Sequence, residues 1–296
     1  PHQILCAGSG LWPFAIDPDP PVLLFVAGNL ELLAAPDRVA VVGTRRCSAV
    51  GRSVAREIGF TLADAGVSVV SGLALGIDGA AHDGAGAAPG DPGRVGVVAG
   101  GLDMVYPPAH GELWRSIAAT GLLMSETPMG ERATRWRFPA RNRLIAALSQ
   151  VVVVVESHRS GGALLTVEEA LGRSIDVCSV PGSVLSQSSA GSNQLLLDGI
   201  PPVRNGSDVL DLLGWSHSQQ PALPFPDPVS EDRPGFGPME QTVVTALQGG
   251  AATVDALCVA TDLSPKVLLG VVERLRRLGV LTIDGSEVAM VAPGEG

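Results

Sequence analysis

The sequence predicts an α/β protein with a doubly wound, mostly parallel sheet and a small C-terminal domain of winged-helix type. Three observations predict this. Short apolar runs alternate with helical stretches through the middle of the 296-residue chain, a spacing typical of strand–helix–strand units. Glycine-bearing turns follow several of these runs, as they do at the ligand-binding ends of parallel strands. A segment rich in Pro and Ser then precedes residues 236–296.

Six apolar runs are the predicted strands of the main domain. Most are continuous rather than alternating, which is typical of strands covered by helices on both faces. They are Val39–Val42, Val67–Val70, Val95–Ala99, Leu122–Met124, Val151–Val155 and Asp176–Val180. The predicted helices are Val50–Ala65, Gly79–Gly84, Gly111–Ala119, Arg141–Ala147, Ala163–Leu171 and Asn193–Asp198. Right-handed crossovers between parallel strands place the binding crevice at the carboxyl ends of the strands.

The chain divides into four predicted parts. Residues 1–35 are a lead-in segment, with a strand at Val22–Val26, that packs on the main domain at residues 36–215. Residues 216–235 are the predicted linker, and residues 236–296 are the C-terminal domain. Three helices followed by a hairpin indicate the winged-helix plan there: Met239–Gln248, Thr253–Ala260, Ser264–Leu278, Val280–Asp284 and Glu287–Val291.

The charge distribution argues against a protein that coats nucleic acid along its whole surface and favours one with a local basic site. A net charge of -10 argues against coating nucleic acid by bulk attraction. Positive charge is nevertheless concentrated locally, because residues 132–155 contain five arginines and no acidic residue. Arginine suits bidentate contacts with phosphate. Residues 215–296 carry 10 acidic and 5 basic residues, so a protein-interaction role for the C-terminal domain stays open beside duplex binding.

Missing motifs exclude several other classes. No G-x-G-x-x-G follows Val42 and no G-K-[ST] occurs, which argues against dinucleotide and P-loop sites. The four cysteines form no C-x-x-C pair, which indicates reduced thiols in a cytosol and no zinc site. No apolar run is long enough for a bilayer, and the start at Pro1 indicates a processed or truncated form. We therefore expect a cytoplasmic protein without membrane segment, cofactor or metal.

Three glycine-bearing turns follow predicted strands, at residues 43–46, 71–78 and 100–103. Glycine lets the backbone approach a ligand, and helix N-termini offer free N–H groups to anions. With Arg45, the first turn is a candidate phosphate cradle. The alternative is that all three are tight turns of a kind found in any doubly wound protein.

Two further segments carry candidate binding groups. Residues 132–143 interleave arginines with Trp136 and Phe138, which suits a phosphate backbone with unstacked bases. A solvated basic loop, with some arginines in internal ion pairs, is the alternative. Residues 160–162 offer another anion site at a helix start. Glu156 and Glu169 could form an acid/base pair, although charged residues are common at strand ends and on helix surfaces.

Seven motifs occur in one order between residues 36 and 213. They are Val39–Arg45, Ser71–His82, Gly101–Pro107, Ser125-Glu126, Phe138–Arg143, Ser160–Thr166 and Val180–Gly182. This set resembles the DprA (Smf) family of DNA-processing proteins. The resemblance implies an extended Rossmann-like domain, without enzymatic activity, that binds single-stranded DNA and forms a homodimer. It also implies a cytoplasmic role in natural transformation and recombination, in which the protein protects incoming strands and loads the RecA recombinase.

The resemblance implies DNA-binding roles for thirteen matching positions. Arginines would contact phosphates, Phe138 would stack on a base, and the Ser160 turn would supply backbone N–H groups. The residues are Gly43, Thr44, Arg45, Gly72, Arg135, Phe138, Arg141, Asn142, Arg143, Ser160, Gly161, Gly162 and Thr166. Two positions depart from the family pattern: Leu75 replaces a frequent Arg, and Gly162 replaces a frequent Ser.

Two other functions remain open at this point. The turn at residues 160–169 loosely resembles the glycine-rich turn of nucleotide phosphoribohydrolases, which would indicate a nucleotide-binding enzyme or sensor of a related fold. Ser160 and Leu164 replace a Pro and a Gly of that motif, and the long arginine-rich segment suits a polymer better than a mononucleotide. A purely structural scaffold that dimerises is the third hypothesis.

Overall fold

The computed structural model describes residues 2–35, 37–89, 93–214, 237–248, 253–277, 280–284 and 287–290. The chain divides into two compact units, Pro1–Ser218 and Gln219–Gly296. The predicted linker, residues 216–235, lies outside the described residues. Within the described part of the chain, no helix is both long enough and apolar enough to cross a membrane.

Short apolar strands form one eight-stranded sheet in the first unit. Six of them are parallel neighbours in the order β6-β5-β4-β3-β7-β8, and β2 and β1 extend the β6 edge by antiparallel pairing. The strands are β1 His2–Cys6, β2 Leu23–Gly28, β3 Arg38–Val42, β4 Ser68–Ser71, β5 Arg94–Val97, β6 Leu122–Ser125, β7 Val151–Val154 and β8 Asp176–Ser179. The predicted α/β fold with a mostly parallel sheet is confirmed.

The lead-in segment contributes more to the sheet than the sequence predicts. One strand is expected in residues 1–35, but both β1 and β2 belong to the sheet. Arg173 and Asp17 hold the loop between these strands, through a largely buried ion pair of 2.8 Å. The segment is therefore built into the edge of the domain.

Helices cover both faces of the sheet because adjacent residues of a strand point to opposite sides. Val39 and Val41 belong to a core with α1, α2 and α7, whereas Ala40 and Val42 belong to a second core with α4 and α5. The helices of this unit are α1 Ala49–Asp64, α2 Ile77–Ala85, α3 Gly111–Thr120, α4 Arg137–Ala147, α5 Gly162–Leu171, α6 Ala190–Leu197 and α7 Gly206–Leu212.

Several helix boundaries differ from the sequence prediction, and one helix is missed. Helix α6, for example, begins at Ala190, three positions before the predicted start at Asn193. Helix α4 begins at Arg137, four positions before the predicted start at Arg141. Helix α7 is not predicted at all, although it buries Val209 and Leu210 completely. The earlier start of α4 matters for function, since it puts half of the arginine-rich segment on a helix.

The second unit contains three helices and a two-stranded antiparallel sheet among its described residues. These are α8 Pro238–Gln248, α9 Val254–Thr261, α10 Pro265–Arg277, β9 Leu281–Asp284 and β10 Glu287–Met290. Thr253 caps α9 by accepting a hydrogen bond from the Ala256 N–H. Val243, Leu257, Leu268 and Leu281 belong to its separate core. The winged-helix assignment remains a prediction.

Candidate nucleic-acid interface

A pocket of about 490 Å³ lies beside the carboxyl ends of β3 and β7. These strands are neighbours, yet the chain continues from β3 towards β4 on one side and from β7 towards β8 on the other. The loops that leave them therefore diverge and open a crevice, as expected at the switch point of a doubly wound sheet. The pocket is lined by the first glycine-bearing turn (residues 43–46), the start of α2, one face of α4 and the start of α5.

Backbone contacts fix the first turn. The Thr44 N–H donates to the Glu156 carbonyl at 2.7 Å, and the Ile77 N–H donates to the Thr44 carbonyl at 3.3 Å. A Cβ at Gly43 would collide with the Ile77 side chain and the Glu156 carbonyl. Gly76 has a φ of 85°, and a Cβ there would collide with Thr44. This packing leaves the Arg45 side chain exposed at the mouth of the pocket.

Asp78 organises the second turn from inside. Its buried carboxylate accepts hydrogen bonds from the N–H groups of Gly72 at 3.2 Å and Ala74 at 3.3 Å. Burial raises the pKa of Asp78 above its usual value, and the positive charge of Arg141 opposes this rise. Asp78 is thus a support for the turn, although it also lines the pocket.

Arg141 is the most buried arginine of the predicted site. Its guanidinium donates to the Val97 carbonyl at the end of β5, and a Cβ at Gly72 would collide with it. Burial lowers its pKa to about 10, so the group remains charged at neutral pH. Arg141 therefore supplies positive charge at the pocket wall and ties α4 to the sheet.

The start of α5 offers backbone N–H groups to an anion. Gly161 occupies the N-cap position, and no described side chain accepts a hydrogen bond there. A Cβ at Gly161 would collide with the Ser157 hydroxyl, whereas a Cβ at Gly162 would meet open space. Asn142 on α4 donates from Nδ2 to the Gly162 carbonyl at 3.2 Å and so holds this turn against α4. Uncapped N–H groups of this kind are suited to phosphate.

An aromatic pair adjoins Arg45. The Arg45 guanidinium carbon lies 4.8 Å from the centre of the Phe138 ring, a cation–π distance. The Tyr106 ring lies 5.5 Å from Phe138, centre to centre, at a tilt of 48°. The pocket thus carries charge and aromatic surface side by side.

The structure brings most of the predicted site residues to this pocket. Those that line it are Gly43, Thr44, Arg45, Phe138, Arg141, Asn142, Gly161, Gly162 and Thr166. Gly72 lies in the neighbouring hollow, next to Arg141. Arg135 and Ser160 are exposed and do not line the pocket. Arg46, His158 and Tyr106 are neighbours of the site that the sequence prediction omits, although Tyr106 belongs to one of the motifs.

Arg143 lies elsewhere, contrary to the expected grouping. It contacts Glu126 at 2.7 Å and Asp19 at 3.2 Å, and its side chain is only 15% exposed. The reason is helical geometry: Phe138, Asn142 and Ile145 recur on one face of α4, and Arg143 falls on another. Arg143 holds the lead-in segment and the residue after β6.

The two glutamates considered as an acid/base pair serve different partners. Glu156 is buried and accepts hydrogen bonds from the Ser48 N–H at 2.8 Å and the Ser48 hydroxyl at 2.6 Å, at the start of α1. Glu169 forms an ion pair of 2.5 Å with Arg173. Of the residues described, no three His, Cys, Asp or Glu side chains lie close enough together to hold a metal ion.

Comparison with known proteins identifies the family. The family model of DNA recombination-mediator protein A matches residues 3–214. A protein described as a DNA processing protein DprA in Mycobacterium tuberculosis is 41% identical over 259 residues, which cover 84% of this chain and 64% of that protein. The chain thus spans less than two thirds of the length of this relative. DprA of Streptococcus pneumoniae is 42% identical over 200 residues, covering 67% of this chain and 69% of that protein.

Two solved structures share the fold. DprA of S. pneumoniae superposes with a TM-score of 0.67 at 37% identity, over 71% of this chain and 74% of that one. DprA of Helicobacter pylori was solved to describe its mode of single-stranded DNA binding. It has a TM-score of 0.64 at 29% identity, over 72% of this chain and 95% of that one. From its sequence, its sheet and these relatives, the chain belongs to the DNA recombination-mediator protein A family.

Proposed function

We propose that the chain binds single-stranded DNA at the pocket beside β3 and β7 and mediates recombination without catalysing a reaction. The observation that carries this proposal is that Arg45, the uncapped α5 N-terminus and the Phe138 ring line one pocket, with Tyr106 in the adjoining hollow. Phosphate groups suit the first two, and unstacked bases suit the third. The relative from H. pylori, described for its single-stranded DNA binding, supports the same assignment.

The finer parts of the proposal follow from the family. We propose that the protein acts as a cytoplasmic homodimer, protects incoming single strands in natural transformation and loads RecA on them. The C-terminal unit is proposed to be a winged helix that contacts protein. In support, Arg274 and Arg276 of α10 form ion pairs with Glu240 and Glu273, which reduces the charge available for a duplex.

A nucleotide-binding enzyme or sensor is the rival, because the pocket volume would admit a mononucleotide. The lining argues against hydrolysis by a pair of carboxylates. Of the described residues that line the pocket, Asp78 is the single carboxylate, and it accepts two backbone hydrogen bonds. His158 also lines the pocket, so a nucleotide-hydrolysis assay tests acid–base chemistry by this histidine.

The test is fluorescence anisotropy with a labelled oligonucleotide, single-stranded and duplex, over a salt series. We expect tighter binding to the single strand. Arg45→Ala should weaken this binding and reduce the log–log salt slope by about 0.7, the value for one phosphate contact on a single strand. Arg115→Ala removes the same charge from an exposed position on α3, away from the pocket, and should leave the slope unchanged.

Two results would contradict the proposal. One is the absence of single-strand binding at low salt, after which nucleotide hydrolysis would be measured. The other is an equal effect of Arg45→Ala and Arg115→Ala, which would indicate bulk attraction rather than a site. For the finer proposal, RecA filament assembly on single strands should accelerate when the protein is added, and sedimentation should report a dimer.

A further inference from the structure

The two aromatic rings near the pocket differ in how far they are exposed to solvent. Phe138 is half-buried and contacts both the Arg45 guanidinium and Tyr106. Tyr106 is 45% exposed. Stacking of a nucleobase needs an accessible ring, and Tyr106 is the more exposed of the two.

The surroundings of Tyr106 are apolar and adjoin the phosphate-binding groups. A hollow of about 50 Å³ has Tyr106, Leu75 and Met104 in its wall, and it shares Arg45 and Phe138 with the larger pocket. Leu75 is 42% exposed at this position. Tyr106 therefore exposes part of an aromatic ring next to Arg45 and Phe138.

We propose that Tyr106 is a stacking platform for an unpaired nucleobase whose neighbouring phosphate is held at Arg45. The proposal rests on the single-strand binding proposed above and names the group that recognises the base. Phe138 then acts as a positioning residue that supports both Arg45 and Tyr106. Because the bases of a duplex are already stacked inside the helix, this platform favours single strands, which phosphate contacts alone do not.

Affinity and salt dependence separate stacking from charge. Tyr106→Leu keeps an apolar side chain but removes the ring, and Tyr106→Phe keeps the ring. We expect Tyr106→Leu to weaken single-strand binding about fivefold or more, and Tyr106→Phe to bind like the unaltered protein, since base–aromatic stacking is sequence-tolerant and depends on the ring face. The salt slope should be the same in all three proteins, because no phosphate contact is lost.

A direct readout uses the fact that Tyr106 is the single tyrosine of the chain. The full chain labelled with 3-fluorotyrosine gives one ¹⁹F resonance, which reports on this ring alone. Titration with oligothymidylate should shift the resonance. An oligonucleotide of the same length that consists of abasic sugar-phosphate units should bind at the phosphate groups and leave the resonance near its free position.

The outcomes distinguish this inference from the proposed function. If the unaltered protein binds oligothymidylate but the resonance does not move, or moves equally with the abasic strand, the stacking role is wrong and the proposed function stands. Equal affinities of Tyr106→Leu and the unaltered protein would overturn it in the same way. If the unaltered protein binds no single strand at all, the proposed function fails and the inference fails with it.

Discussion

Arg143 shares a helix with Arg141 and Asn142 but contacts a different part of the molecule. Its guanidinium donates two hydrogen bonds to the Glu126 carboxylate, at 2.7 and 2.8 Å, and a third to the Asp19 carbonyl at 3.1 Å. Arginines in one segment of sequence thus divide between a face that lines the pocket and a face that forms ion pairs. The number of arginines predicts the charge of the segment, whereas the helical period determines which face of α4 each arginine lies on.

We therefore predict that Arg143→Ala lowers stability rather than DNA affinity. Hydrogen bonds to charged groups contribute about 1.5–3 kcal/mol, so urea unfolding of the variant should show a loss of about that size. Its log–log salt slope for single strands should equal that of the unaltered protein. A slope reduced as strongly as by Arg45→Ala would show that Arg143 contacts phosphate after all.

His82 gives the protein a pH dependence that arises inside α2. Its side chain is completely buried, and burial, with a contribution from the charge of Arg94, lowers its pKa from 6.5 to about 3. Between these two values the unfolded chain binds a proton that the folded protein does not. Stability must therefore fall as the pH decreases from about 6.5 towards 3.

The expected loss from His82 is about 2 kcal/mol between pH 7 and pH 5. Urea unfolding of the unaltered protein and of His82→Gln at both pH values measures it, because the glutamine does not titrate. Asp17 and Asp208 have pKa values lowered below the usual 3.8, so their contribution disappears only at more acidic pH. The same pH dependence in both proteins would show that His82 is not the group responsible.

At the scale of elements, the α1–α2 pair depends on glycine. A Cβ at Gly84 would collide with the Arg56 carbonyl, and a Cβ at Gly59 would collide with the Ala81 carbonyl. The two helices approach each other so closely that only hydrogen fits at these points. Because the obstacles are backbone atoms, a side-chain rotation cannot relieve them.

Gly84→Ala should therefore destabilise the first unit by about 1–3 kcal/mol, the usual cost of overpacking, despite the better helix propensity of alanine. Gly111→Ala at the start of α3 is the matched control, since a Cβ there meets nothing within 4 Å. Thermal unfolding of both variants checks this. Equal melting temperatures would mean that the two helices can separate without cost.

The sequence predicts buried elements well and their boundaries less well. Strands β3 to β8 are recognisable because continuous, mostly valine-rich runs are typical of parallel strands that are covered on both faces. Strand β1 is an edge strand in which Leu5 alone is buried, and its apolar run, Ile4–Cys6, is only three residues long. The start of α4 is hidden because Pro139 suggests a break, yet proline is tolerated in the first turn of a helix, where its missing N–H has no partner.

The sequence also predicts part of the site: it identifies residues in turns after strands but not the side-chain contacts between them. Residues in turns directly after strands, such as Gly43 and Arg45, reach the pocket because parallel strands end at one edge. The role proposed for Tyr106 cannot be predicted from the sequence, because it depends on how far Phe138 is covered in the folded protein. Side-chain contacts across the pocket can be identified only from the packed three-dimensional structure.

At the scale of the whole molecule, each hydrophobic core belongs to one unit. The cores around the eight-stranded sheet contain residues no later than Leu213, and the core of the C-terminal unit begins at Val243. The proposed DNA pocket also lies entirely within the first unit. Among the described residues, each unit therefore has its own hydrophobic core, as expected of a domain.

We predict that a protein ending at Gly214 folds and binds single strands with the affinity and salt slope of the whole chain. Anisotropy titrations of the two proteins measure this, and far-UV circular dichroism checks that the shorter one is folded. A folded but weakly binding fragment would mean that the C-terminal unit contributes to the DNA site.

The backbone contacts of the first turn have an evolutionary consequence. The carbonyl and N–H of Thr44 hold the pocket floor by bonding to Ile77 and Glu156, so its shape does not depend on the side chains around the rim. Gly162 lines the pocket, where a Cβ meets open space, and Leu75 is 42% exposed in the neighbouring hollow. Mutations at these positions can therefore accumulate at little cost to folding. Lineages that inherit this fold can therefore differ at the proposed DNA site through single codon changes without losing the fold.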